Sequence, residues 1–144
     1  MFDGREFLGV ARHLLGGVAA GGTDHEALYR TAVGRSYYAC FHVLRRALCD
    51  PAGWARFGKG GRKVFLTHQQ LRRLVIRRLP VGSVDLFDSL REMREHADYH
   101  SWKPSVGGAG GPPTGLCSTW GPDPKANAES ALEVAEELLT QLPQ

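Results

Sequence analysis

Apolar residues recur along this chain at spacings of three and four, and no segment alternates convincingly between apolar and polar positions, so the pattern predicts helices throughout. The first should start near Asp3, where Asp3 and Glu6 have capping-box spacing and Phe2 and Phe7 stand where a hydrophobic staple would. Phe7, Ala11, Leu14 and Val18 then form an apolar stripe that Gly21-Gly22 ends. A second box, Thr23 and Glu26, opens a long helix that runs to about Cys49, where Asp50-Pro51 stops it. At the ordinary helical rise this rod is about 40 Å long. Its centre, Tyr37-Tyr38-Ala39-Cys40-Phe41-His42, mixes rings with small residues, and Gly34, Ser36 and Ala39 would let a neighbouring helix approach closely.

Residues 51–65 carry Gly53, Gly58, Gly60 and Gly61, which predicts an irregular loop. Thr67 and Gln70 make a third capping box, and this helix ends before Pro80. The fourth starts near Ser83 with Leu86, Leu90, Met93 and Ala97 as its core stripe. Residues 102–124 are Gly/Pro-rich and aperiodic, so they read as a flexible loop within a single domain spanning 1–144. Asp123 as N-cap and Pro124 at the first helical position launch the last helix, with Leu132, Ala135, Leu138 and Leu139 inward and Glu129, Glu133, Glu136 and Glu137 outward. The expected fold is all-α: an up-and-down bundle of about five helices around a long antiparallel central pair.

Composition narrows the function classes. No apolar run approaches the roughly 20 residues that span a bilayer, and MFDGREF lacks the apolar core of a secretory signal. The three cysteines, Cys40, Cys49 and Cys117, show no CxxC spacing, which argues against a disulfide framework or a cysteine zinc site. A reduced, cytoplasmic protein with no membrane partner is the expectation. A net charge of +3 hides an asymmetry: residues 51–84 contain no acid, while Arg56, Lys59, Arg62, Lys63, Arg72, Arg73, Arg77 and Arg78 are all basic. Such a block suits a polyanion such as RNA, with Arg62, Lys63, Arg72, Arg73 and Arg77 as candidate contacts. A solvated helix face beside a loop would give the same composition.

The densest chemistry lies in SLREMREHADYHSW, residues 89–102. At 100° per residue Arg91, Arg94 and Asp98 share a helical face. Intrahelical pairs, Arg91 with Glu95 and Arg94 with Asp98, are the simplest account, each worth about 0.2–0.5 kcal/mol. In both the base precedes the acid, the less favourable order against the helix dipole. His96 and His100 have the spacing for a shared metal, but Ala97 stands where a metalloprotease helix has Glu and no third ligand is evident beyond Asp98 or His42. No metal or other cofactor is therefore expected. Phosphate-cradling GxxxxGK[ST] and the GxSxG elbow are both absent, and Cys40 and Cys49 fall in an apolar helix where inert thiols are usual. What remains is arginine followed by histidine: Arg94 with His100, or alternatively Arg91 with His96. The arginine could hold a phosphodiester and the histidine could move the proton of a 2′-hydroxyl, which would cleave RNA without metal. Neither pair shares a helical face, so a distorted helix end or a second subunit would have to bring its members together.

Tyr37-Tyr38-Ala39-Cys40-Phe41-His42 and Arg94-Glu95-His96-Ala97-Asp98-Tyr99 together resemble the HEPN (higher eukaryotes and prokaryotes nucleotide-binding) superfamily, specifically its small stand-alone bacterial members. The likeness covers nearly the whole chain. It implies an all-α bundle that homodimerises with two fourth-helix motifs facing across a cleft. Many members are metal-independent endoribonucleases, some of them toxins of toxin-antitoxin or defence systems. Their motif, Arg then His after four to six residues, is matched by Arg94 and His100, with Asp98 between them. Other members bind RNA, nucleotides or partners without cleaving, and some pair with a small nucleotidyltransferase that modifies a tyrosine near the motif, here Tyr99. Glu95 follows the motif arginine where many nucleases have another polar residue. Enzyme and binding module both remain open from the sequence.

Overall fold

The computed structural model describes residues 3–17, 25–49, 55–57, 63–99 and 123–143, with backbone alone for 55–57, 63–65 and Tyr99. Five helices make an all-α bundle: α1 (Glu6–Gly17), α2 (His25–Leu48), α3 (His68–Arg78), α4 (Ser83–Tyr99) and α5 (Pro124–Thr140). Between α2 and α3 two short strands, β1 (Ala55–Phe57) and β2 (Lys63–Phe65), pair antiparallel with Arg56 opposite Val64. This ribbon corrects the expectation of a wholly irregular segment at 51–65. Three-residue strands are too short to show alternation, although Phe57, Val64 and Phe65 are residues that suit a pleated surface.

The caps follow the sequence closely. Thr67 accepts from the Gln70 backbone N–H while the Gln70 side chain accepts from that of Thr67, completing the capping box of α3. Asp123 caps α5 by accepting from Lys125 N, with Pro124 inside the first turn. Asp3 accepts from Arg5 N at 3.0 Å, and α1 proper starts at Glu6. Thr23, proposed to cap α2, lies outside the described residues. Pro80 to Ser83 forms a tight turn closed by Ser83 N to Pro80 O at 3.1 Å, in which Gly82 adopts φ +97°, a conformation that disfavours a side chain.

Helix α2 is the hub and packs against each of the other four helices. Its early residue Arg30 meets the end of α4 and its last turn meets the end of α3, so α2 and α4 run antiparallel. The core gathers Val33, Tyr37, Cys40 and Leu44 of α2 with Leu71 and Val75 of α3, Phe87, Leu90 and Met93 of α4, and Ala128, Ala131, Ala135 and Leu138 of α5. Alanines every three or four residues let α5 lie close to α2, where the Cys40 thiol donates to the Ala135 carbonyl at 3.4 Å. Two stripes are rotated slightly from expectation. Phe87 rather than Leu86 is fully buried in α4, and Leu8 lies deeper than Phe7 in α1. Among the described residues no helix is long and apolar enough to cross a membrane.

Candidate functional site

Arg91, Arg94, Glu95 and Asp98 line one face of α4 beside the aromatic middle of α2. Both expected intrahelical pairs form, Arg91 Nε to Glu95 at 2.9 Å and Arg94 Nε to Asp98 at 2.6 Å. Arg94 is the more enclosed arginine, its side chain 16% exposed against 35% for Arg91. Its guanidinium lies 5.5 Å from the Tyr38 ring centre and 5.9 Å from that of Tyr37, within cation–π range. Two rings and a carboxylate thus fix the orientation of Arg94, and that accounts for a base-before-acid pair whose Coulomb gain alone is small. The four charges sum to zero, so an anion arriving here would compete with Glu95 and Asp98 for the guanidinium donors.

The sequence reading missed His68. It stands at the first position of α3, half-buried, with its ring 4.6 Å from Phe41 and 5.6 Å from Tyr37 between centres. The Tyr37 hydroxyl is hydrogen-bonded to His68 Nδ1. Burial pushes the Tyr37 phenol well up, so it keeps its proton and has it to donate. With the hydroxyl donating, His68 accepts at Nδ1 and carries its proton on Nε2. Its pKa is lowered first by burial, then by the Arg94 and Arg91 charges, with Glu95 opposing. The N-terminal dipole of α3 acts in the same direction. A neutral imidazole thus sits in the field of both arginines. No local pattern announces it: His68 and Tyr37 are 31 residues apart, and the Thr67 capping box explains the neighbouring residues without using the histidine.

A second arginine positions the end of α4. Arg30 of α2 donates through Nη1 to the carbonyls of His96 (3.1 Å) and Ala97 (2.9 Å), and pairs with Glu26 at 2.7 Å. These carbonyls belong to the last turn, where helix acceptors lack partners within the helix. The His96 side chain is buried, whereas Arg91, its partner in the alternative pair, is partly exposed. Tyr99 ends α4, with only its backbone described, and His100 lies outside the described residues.

The candidate RNA contacts divide. Arg72 makes a double hydrogen bond to Asp88 of α4, its Nε and one NH2 group reaching the carboxylate at 2.7–2.8 Å. An acid beyond the acid-free segment thus neutralises part of the basic block. Arg73 and Arg77 are exposed on α3. Arg78 donates to the Leu48 carbonyl at 2.7 Å. Arg62 and the Lys63 side chain lie outside the described residues. Among the described residues no three His, Cys, Asp or Glu side chains are grouped to hold a metal, and His42 instead stacks on Phe7 and Tyr38. Cys40 is buried, and burial raises its thiol far above the range in which it would ionise. No family model matches this chain, and neither the curated proteins nor the solved structures yield a match.

Proposed function

We propose that this protein is a HEPN-type domain that binds RNA or a nucleotide through Arg91 and Arg94. The observation carrying this reading is the placement of both arginines on one face of α4, with Arg94 over the Tyr37 and Tyr38 rings and the Tyr37 hydroxyl bonded to His68 Nδ1. Arginine suits a phosphate because its donors match two oxygens at once. Tyr38, only partly buried, supplies ring surface beside it on which a base could stack. The Tyr37 bond holds His68 as a neutral donor at Nε2, an arrangement fit for recognition and poorly placed to accept a proton there. Exposed Arg73 and Arg77 would steer the strand by charge.

Metal-independent RNA cleavage is the second reading. Arg94, five residues and His100 have the spacing that favours it. Arg94 would hold the scissile phosphate, His100 would move the proton and Asp98 would keep Arg94 oriented. The HEPN likeness also supports a homodimer in which two α4 faces meet, a toxin or defence role, and a small nucleotidyltransferase partner with Tyr99 as its target. One experiment separates binder from nuclease: purified protein and the Arg94→Ala, His68→Gln and His100→Ala variants are incubated with RNA in EDTA, with binding and cleavage both followed. Binding lost in Arg94→Ala while RNA stays intact supports the first reading. EDTA-resistant cleavage lost in both Arg94→Ala and His100→Ala supports the second. Neither binding nor cleavage by the unaltered chain overturns both.

A further inference from the structure

The arginine face of α4 continues across α2. The Tyr38 ring beneath the Arg94 guanidinium also stacks on His42, their centres 6.2 Å apart and their planes inclined by 29°. His42 in turn stacks on Phe7 of α1, at 5.8 Å and 28°. At the far end the Arg35 guanidinium lies 5.2 Å from the Phe7 ring centre. A strip of guanidinium, three rings and guanidinium thus runs from α4 over α2 to α1. Near-parallel rings at this spacing are offset like tiles, so neighbours overlap only in part. Phe7, Arg35, Tyr38 and His42 are all half-buried, so part of each reaches solvent.

Packing of α1 on α2 explains the rings, since Phe7 rests against the core. It does not explain the arginine beyond them. Among the described residues Arg35 makes no hydrogen bond or ion pair; the Phe7 ring places its guanidinium and leaves its donors available. Arg35, Tyr38 and His42 follow at spacings of three and four, which puts them on one face of α2. Burial and the Arg45 charge keep the His42 pKa low, so it contributes a ring rather than a third cation. Cations set along half-exposed aromatic surface match a single strand of nucleic acid, which offers successive phosphates to the charges and unpaired bases to the rings. A duplex keeps its base faces stacked inside and would leave the rings unused.

We propose that this strip is a second subsite, which takes the neighbouring nucleotides of a single RNA strand held at Arg94, with Arg35 on a later phosphate and unpaired bases against Tyr38, His42 and Phe7. The subsite rests on the reading of α4 as a nucleotide face. The test is calorimetric titration of the full chain with a 2′-O-methyl RNA dodecamer, which cannot be cut through its 2′-oxygens. The same dodecamer annealed to its complement, and uridine 5′-monophosphate, are titrated beside it. The single strand should bind more tightly than either and shift the His42 imidazole signals in NMR. Arg35→Gln should weaken the single strand about fivefold or more and lower its salt slope by about 0.7. Its unchanged mononucleotide affinity would show the fold intact, while Arg94→Ala should weaken both ligands. Equal affinity for strand and mononucleotide, an unmoved His42, parental strand binding by Arg35→Gln, or preference for the duplex would each overturn the subsite and leave the α4 reading in place. Binding of none of the three ligands would overturn both.

Discussion

Tyr37→Phe removes one oxygen from a fully buried aromatic side chain and isolates the contact between α2 and α3. The ring stays, so packing against Phe41, Phe87 and Tyr38 is retained and no cavity larger than a hydroxyl opens. What is lost is a hydrogen bond between neutral partners, whose net worth is about 0.5–1.5 kcal/mol. His68 is only half-buried, so water can take over its Nδ1 and the cost belongs near the middle of that range, about 1 kcal/mol. For a chain of this length that lowers Tm by about 2–4 °C. A second readout is more specific. A hydroxyl donated to Nδ1 stabilises the neutral imidazole, so its removal lets the His68 pKa rise toward the ordinary value while burial and the arginines still hold it below. Thermal melts of both proteins and an NMR titration of His68 test this. A variant as stable as the parent, with the His68 titration unmoved, would refute the assignment of donor, acceptor and tautomer.

Acidification should destabilise the fold. The pKa values of His68 and His42 lie below the ordinary histidine value of about 6.5. The unfolded chain therefore binds more protons as pH falls from about 7 through the depressed folded values, and Tm should drop over that window and stay flat above it. His68→Gln should flatten this slope, and an unchanged slope would exclude His68 as a contributor. Arg30→Met strips two charged hydrogen bonds from the end of α4, each worth about 1.5–3 kcal/mol. Hydrogen exchange should quicken in residues 94–99, and unaltered exchange there would show that this clamp does not hold the last turn. Gly4→Ala forces the turn before α1 away from His42 at a cost of about 1–3 kcal/mol, read by denaturant unfolding. Asp88→Asn breaks a partly exposed pair with Arg72, so thermal melts should show little change in stability.

The five helices were legible because each combines a 3.6-residue apolar stripe with punctuation: Thr67 and Gln70, Asp123 and Pro124, Pro51 and Pro80. Those are local signals and survive into the fold. Arg91, Arg94 and Asp98 were legible as one face because helix geometry alone places them together. His68 and Arg30 were not, since each acts across a contact between distant segments, and neither a solitary histidine nor an i,i+4 Glu-Arg pair reveals what it meets in space. The partner of Arg72 was hidden for the same reason. That partner, Asp88, follows the acid-free segment in sequence but lies opposite it across the α3–α4 turn. The ribbon at 55–57 and 63–65 escaped because its strands are shorter than any period can register.

The docking of α5 on α2 has a consequence for how the chain is made. Cys40 and Ala135, joined by a hydrogen bond, are 95 residues apart, and the exposed Arg12–Glu136 pair spans 124. During synthesis at about 5–20 residues per second, the apolar side of α2 leaves the ribosome many seconds before the helix that covers it. Throughout that interval Val33, Cys40 and Leu44 depend on α1, α3 and α4 for shelter, and contacts of such long range close last. The nascent bundle therefore has a window of aggregation risk that the finished fold does not reveal, and the alanine-rich seam of α5 is what shuts it.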